Sequence, residues 1–344
     1  MQANRKAWWC VRLTMAVATG LSLLVAGCAG TQGDAKLRDR ATLCLHRGMR
    51  YPENPAVRAE AMESAGEVLG ERAVEQLKEG LGDEHAGVRF AAAMALGQVA
   101  NPNTFEAVRK LVDDLDPSVR VAAYYAVERM GSFQYRRAWV DALHHPSESV
   151  RRNAVMALGL LGEAKTRPLL VRVAAEDSDE GVRLQAVEAL VLIGDEEAES
   201  KFVRDAFGGM GYRQPFALLA LGHIQSPQSI AILQSRLANA PYLEARLAAA
   251  RGLAMHGLAD GFPLALQSLN WNQPQANQPD DPPENQIMRV RTMAAMALGE
   301  SHDRRALPTL QNCMETANDP RIQVAAARAI LMILNNSQSA SQPG

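Results

Sequence analysis

The residues of this chain whose types can do chemistry are an arginine that keeps returning, seven scattered histidines and four cysteines. The arginine stands at Arg58, Arg89, Arg120, Arg151, Arg183, Arg246 and Arg291. Such a ladder of guanidinium groups can hold phosphates or carboxylates. The same residue also has a structural use, as a donor to Asp83, Asp114 or Asp177 in the turn before it, and seven identical copies favour that use, because one ligand site rarely needs seven identical members. Of the histidines, His46, His85, His144 and His145 are dispersed. His223, His256 and His302 fall near helix ends in successive units, where they can serve a metal or simply compensate a helix dipole. There is no Gly-rich phosphate loop, zinc spacing or nucleophile elbow. These residues lead us to expect no catalytic residue, no metal and no cofactor, and a chain that is not an enzyme.

The arginines belong to a repeat. Taking as anchor the residue that usually precedes a glycine, copies stand at Ala65, Leu96, Val127, Leu158, Leu190, Leu221, Leu253, Leu298 and Ile330, with gaps of 31 or 32 residues and one of 45. Eight positions earlier stand Val57, Val88, Val119, Val150, Val182, Val290 and Ile322, with Arg213 and Ala245 as departures. Counted from that position, the apolar residues Val88, Ala92, Ala95, Leu96 and Val99 fall at offsets 0, 4, 7, 8 and 11, one stripe of an α-helix. A second, less uniform amphipathic segment precedes each stripe, as in Ala73, Val74, Leu77 and Leu81. About 31 residues hold two helices and two short turns, with no room for a strand. One pair cannot bury its own stripe, so about nine pairs must stack into an all-α solenoid.

The Asp-x-x-x-x-Val-Arg starts (Asp83 to Arg89, Asp114 to Arg120, Asp177 to Arg183), the Ala-Leu-Gly endings (Ala95 to Gly97, Ala157 to Gly159, Ala297 to Gly299) and Pro168 and Pro308 near the starts of first helices resemble the short HEAT-like repeats of phycobilin lyases. The resemblance covers roughly residues 36 to 334 and implies a superhelix whose second helices line a concave face. It also implies an alternative to a binding protein, a bilin-lyase-like enzyme or a binder of a small apolar ligand in that groove. HEAT-like hydroxylases with a di-iron site use His-Glu pairs, and no histidine here is followed by a glutamate.

The first 27 residues stand apart. Arg5, Lys6 and Arg12 precede Leu13 to Gly27, an uncharged apolar run of 15 residues, too short for a spanning helix of about 20 and read as an export signal. Its close, Val25-Ala26-Gly27-Cys28, resembles a bacterial lipobox. That resemblance implies cleavage before Cys28, its acylation, and a place in the bacterial cell envelope; Ala29 in place of Asp implies the periplasmic face of the outer membrane. Residues 28–35 would then be the lipidated cysteine and a short linker, 36–334 the solenoid and 335–344 a disordered tail. Without residues 1–27 the chain has 33 basic and 38 acidic residues, so no basic face recommends nucleic acid as a partner. Cys44 and Cys313, in the first and ninth units, should lie several tens of ångströms apart in a straight or gently curved stack.

Offsets 2, 5 and 6 lie opposite the buried stripe and mark the expected concave face. There stand Phe90 and Met94, Tyr124 and Tyr125, Arg152 and Met156, and Leu184 and Glu188, mostly apolar side chains suited to a partner-binding groove. The competing expectation is tight curvature, in which these side chains are ordinary core. The longest gap holds Asn270 to Gln286, whose Pro274, Pro279, Pro282 and Pro283 mark a loop inserted in the eighth pair. The expected function is therefore a membrane-tethered lipoprotein scaffold that binds an unidentified protein or peptide through the inner face of its solenoid.

Overall fold

The repeat unit folds as a pair of helices throughout a computed structural model that describes residues 23–195, 197–208, 213–274 and 281–339; among the described residues there is no strand. One layer holds α2 (Pro55–Leu69), α4 (Ala86–Val99), α6 (Pro117–Arg129), α8 (Glu148–Leu161), α10 (Glu180–Leu192), α12 (Arg213–Gly222), α14 (Leu243–Met255), α16 (Pro283–Ser301) and α18 (Pro320–Ser339). The other holds α1 (Leu23–Met49), α3 (Val74–Gly80), α5 (Phe105–Arg109), α7 (Arg136–Leu143), α9 (Arg167–Glu176), α11 (Ala198–Gly208), α13 (Pro227–Asn239), α15 (Phe262–Ser268) and α17 (Leu307–Thr316). The chain divides between Lys36 and Leu37, and the stacked repeats belong to the part that begins at Leu37.

Local chemistry sets where the even-numbered helices begin. The side chains of Asn54, His85, Asp116 and Asp179 accept from backbone N–H groups of the first turns of α2, α4, α6 and α10. Proline at the first position of α2, α6, α16 and α18 loses no helical hydrogen bond.

Except between α10 and α12, the even-numbered helices pack on one another in sequence, whereas the odd-numbered ones pack mainly on their own partners, which makes the even layer the inner one. The glycine after the anchor is what lets inner helices approach. A Cβ on Gly66 would stand 2.6 Å from the Cβ of Ala95, one on Gly97 2.8 Å from the Cα of Ala126, and one on Gly159 2.8 Å from the Cα of Ala189. The glycine at offset 9 thus faces the alanine at offset 7 of the next inner helix, too close for a side chain between them.

The arginine ladder stitches neighbouring repeats together. Arg58, Arg89 and Arg151 each donate through Nε and Nη2 to both carboxylate oxygens of Asp83, Asp114 and Asp177, at 2.8–2.9 Å. That aspartate belongs to the turn of the following repeat, not to the preceding turn as the spacing suggested. The preceding turn receives only Nη1, as in Arg89 to the Asp83 carbonyl at 2.9 Å. Arg120 and Arg183 meet no aspartate in the next turn and keep their carbonyl contacts.

The solenoid closes on itself. Inner helix follows inner helix from α12 through α14, α16 and α18, then from α18 onto α2 and on through α4, α6 and α8 to α10; α11, packed on both α10 and α12, completes the circuit. This overturns the separation expected of the first and last units. Cys44 lies 3.6 Å from the Gln323 carbonyl and Arg40 pairs with Glu315 at 2.5 Å, so the ninth repeat sits against the first; both thiols are free.

Three expected boundaries also move. Residues 28–35, expected as a linker, fall within α1, and residues 1–22 lie outside the described residues. Pro283 opens α16 instead of belonging to the inserted loop, because its missing N–H is no loss at a first helical position. Residues 275–280 of that loop lie outside the described residues, while Asp281 anchors its end by pairing with Arg289. The expected tail begins inside α18, where Asn335 donates to the Val68 carbonyl at 2.8 Å; residues 340–344 lie outside the described residues.

Two measurements check this account. Gly159→Ala should lower the unfolding free energy by about 1–3 kcal/mol in chemical denaturation, because the new methyl meets backbone. The hydrogen bonds from Arg89 hold the Asp114 carboxyl below its ordinary range against the opposing effect of burial. Its contribution is therefore present above the unfolded-state value near 4 and is lost as pH falls through the lower folded-state value. Asp114→Asn should flatten that acid limb of the stability profile.

Candidate partner-binding face

Each inner helix is covered by its inner neighbours and its outer partner, with α11 taking the neighbour's place between α10 and α12. One stripe stays open. It runs along offsets 6 and 10, where the side chains are exposed or half-buried except for Met94, Tyr125 and Arg328. The expected face, at offsets 2, 5 and 6, was therefore turned about one residue too far toward the neighbouring and outer helices.

The structure disperses the expected groove residues. Met94, Tyr125 and Leu184 are buried in the core. Tyr125 lies under Gly97, whose Cβ would meet its ring at 2.6 Å, and burial pushes its phenol above the ordinary range. Tyr124 looks outward, stacked on Tyr135 with centroids 5.4 Å apart and edge-on to Trp139 at 6.0 Å, and the Trp139 indole donates to Glu128 at 2.8 Å. Phe90 is half-buried against the core, and Arg152 is exposed. Met156 and Glu188, both at offset 6, do stand on the open stripe. Burial raises the Glu188 carboxyl above its ordinary range despite a hydrogen bond from Gln185.

The stripe divides by chemistry. On α8, α10 and α12 it is mainly apolar, with Met156, Leu160, Leu192 and Leu219 exposed or half-buried and Leu160 37% exposed, interrupted by Glu188 and ending at His223. On α14, α16, α18 and α2 the charged residues Arg251, Glu300, Arg328, Glu63 and Glu67 stand among Met255, Met296 and Met332. Arg251 donates to Glu300 at 2.8 Å and Arg328 to both oxygens of Glu67 at 2.7 Å. His223 lies beside the first pair, its imidazole pushed below the ordinary value by burial first and by Arg251 second. The reading of offsets missed Leu160, Leu192 and the charged pairs. Their signal was offset 10, which carries a large or polar side chain in every copy and never the alanine or glycine required where helices touch.

The arrangement can do two things. Its apolar sector offers a concave surface for an aliphatic or aromatic surface, and its charged sector offers fixed guanidinium and carboxylate groups. Among the described residues no three histidine, cysteine or acidic side chains gather as a metal site, and no helix is long and apolar enough to cross a membrane.

Comparison with known families matches HEAT repeats at residues 45–128 and 136–207 and a PBS lyase HEAT-like repeat at residues 290–316. Comparison with curated proteins gives no match. Among solved structures, the complex of CpcE and CpcF of phycocyanin lyase from Nostoc sp. PCC7120 is 21% identical, with a TM-score of 0.44, over 65% of this chain and 91% of that one. Human deoxyhypusine hydroxylase is 14% identical, with a TM-score of 0.37, over 88% and 98% of the two chains. Kap121p bound to Nup53p is 12% identical, with a TM-score of 0.34, over 83% of this chain and 36% of Kap121p. These likenesses concern the helical-repeat fold. With a lyase complex among the similar structures, the expectation that the chain is not an enzyme is withdrawn.

The placement of the side chains is open to test by stability. Tyr125→Ala should cost about 3–5 kcal/mol in chemical denaturation, as for a buried aromatic. Leu160→Ser should stay within about 0.5 kcal/mol of the parent.

Proposed function

We propose that the chain is an exported, acyl-anchored protein that holds a partner polypeptide on the inner face of its HEAT-like solenoid. The observation that carries the reading is the apolar sector of Met156, Leu160, Leu192 and Leu219, left open on a face whose other three sides are covered. Aliphatic side chains on a concave, rigid surface gain from excluding water when a complementary surface docks. Two methionines flank it, Met156 within the sector and Met255 beyond it, and thioether side chains adapt their packing to the surface they meet.

Tethering rests on the sequence. Cys28 follows Val25-Ala26-Gly27 at the close of an uncharged apolar run behind three positive charges. Two or more acyl chains on that cysteine would hold the solenoid at a membrane surface, at about 0.8 kcal/mol per buried methylene. The periplasmic face of an outer membrane follows from Ala29.

A second reading, to which the PBS lyase HEAT-like repeat at residues 290–316 adds weight, puts a small apolar ligand such as an open-chain tetrapyrrole on the same sector. A visible absorption band that co-purifies with the protein supports that reading over a polypeptide.

The test uses cells expressing the full chain. In-cell cross-linking followed by mass spectrometry should recover a polypeptide with the parent and lose it with Met156→Glu/Leu160→Glu; equal recovery moves binding off this face. Cys28→Ser should shift the protein from the membrane to the soluble fraction and abolish incorporation of labelled fatty acid. Continued labelling would mean that the anchor is elsewhere.

A further inference from the structure

The circuit of inner helices surrounds a space whose width follows from the number of helices. Nine of them at interaxial distances of about 8–10 Å, with α11 standing in at one joint, set opposite axes about 23–29 Å apart and leave about 12–18 Å between their side chains. Among the described residues no inner helix packs across that space on a helix other than its neighbours. Glu63, Glu67, Gln98, Arg129, Leu160 and His223 on the stripe are exposed, so the space is open. One α-helix with its side chains is about 10–12 Å across and fits, whereas two side by side, or a folded domain, do not.

The order of the circuit sets unlike walls opposite one another. From α10 the path runs through α8, α6 and α4 to α2 in one direction, and past α11 through α12, α14 and α16 to α18 in the other. The sector of Met156, Leu160, Leu192 and Leu219, centred on α10, therefore looks across the space at the joint of α18 with α2. That joint is charged. Arg328 at offset 6 of α18 donates to both oxygens of Glu67 at offset 10 of α2, in the register in which Arg251 of α14 meets Glu300 of α16. Each pair is neutral. Glu63, at offset 6 of α2, is exposed and makes no ion pair among the described residues, so the spare charge of this wall is negative. Elsewhere on the stripe Arg129 is tied to the Gly97 carbonyl at 3.2 Å, and Glu188 accepts from Gln185.

We propose that this space holds one amphipathic α-helix from the end of a partner polypeptide, its apolar face on α8, α10 and α12 and a lysine or arginine of its opposite face at Glu63. The inference rests on the reading of the inner face as a partner-binding surface and narrows the partner to one shape and one charge. A helix is required because an extended chain would bring bare N–H and C=O groups against aliphatic side chains, and among the described residues there is no strand whose edge could pair with them. A chain end is required because a closed circuit admits a guest lengthwise and cannot pass a folded domain. The inner helices α4, α6, α8 and α10 have 13–14 residues, so the walls are about 20 Å deep and hold about four turns of the guest. The aliphatic wall supplies the gain from excluding water. The carboxylate on the far wall fixes the rotation of the guest about its axis and rejects an acidic one.

The test is photocross-linking in cells expressing the full chain, with the photoreactive residue benzoylphenylalanine placed at Leu160 on α8, at Met332 on α18 or at Gln98 on α4. The same residue at Val140, exposed on the outside of α7, is the control. Folding of each variant is checked by circular dichroism, and the exposed Leu160 and Gln98 positions suffice if the half-buried Met332 does not tolerate the change. Mass spectrometry should find all inner positions joined to a single terminal segment of one partner. Leu160 and Met332 should attach to opposite faces of its helix, about two or five residues apart, and Val140 should not attach to that segment. Glu63→Lys should cut the yield from Leu160 about tenfold or more, and the same charge change outside the circuit, Glu176→Lys, should not. Attachment at Leu160 alone, to several segments of a folded domain, or to a segment far from either terminus would overturn the inference while leaving a partner on the apolar sector. An unchanged yield with Glu63→Lys would overturn it too. No polypeptide at any inner position would overturn both the inference and the reading on which it rests.

Discussion

The structure depends on how closely successive inner helices cross. Where glycine follows the anchor there is room for a hydrogen atom and nothing more; at Gly66, Gly97 and Gly159 the next helix lies with its own alanine against that position. Where Glu128, Val191 or Leu331 takes that place, the junctions α6–α8, α10–α12 and α18–α2 are looser, and at α10–α12 the outer helix α11 must bridge. Five of the nine joints thus carry glycine, three are looser, and α14–α16 packs across the small side chain of Ala254. Because an inner helix is gripped by its neighbours and its outer partner, the surface it can offer is one stripe. The fold and the candidate face follow from the same crossing.

Charge enters at a second level. Arginines near the starts of inner helices reach forward to an aspartate in the next turn, and each such pair fixes the spacing of two repeats at the end of the helix remote from the glycine crossing. Two contacts per joint, one steric and one ionic, define an orientation more narrowly than either alone. Repeats without the aspartate keep the arginine for its bonds to carbonyls of their own turn. On the inner face a different ionic rule operates, from offset 6 of one helix to offset 10 of the next, and it holds at the closing joint as it does within the stack.

Most of the fold was legible in the sequence, because helical periodicity and the 31-residue spacing report burial within each unit directly. The repeat, its two helices and the all-α class needed nothing beyond Val57, Val88, Val119 and their successors. The open face was less legible. Residues such as Tyr124 and Leu184 are apolar because the outer helix and the neighbouring inner helix bury them, and an apolar position opposite a stripe reads the same whether a neighbour or a partner covers it. The closure was not legible at all. It depends on the small rotation between repeats, which accumulates over the whole stack and leaves no mark in any one copy. The forward reach of Arg58 and Arg89 was hidden for a related reason, since an aspartate stands in the turns on both sides of Arg89 and sequence spacing does not choose between them.

An open solenoid needs a polar cap at each end to shield the apolar flank of its outermost repeat. Here the flanks of the first and last repeats shield one another, so the chain has no use for caps, and the number of repeats becomes a geometric constant of the fold. Duplicating or deleting one unit, a change that an open stack absorbs by growing or shrinking, would leave α18 out of register with α2 and expose two apolar flanks at once. Such a chain can change its loops and the side chains of its inner stripe freely, yet its length in repeats is held by arithmetic.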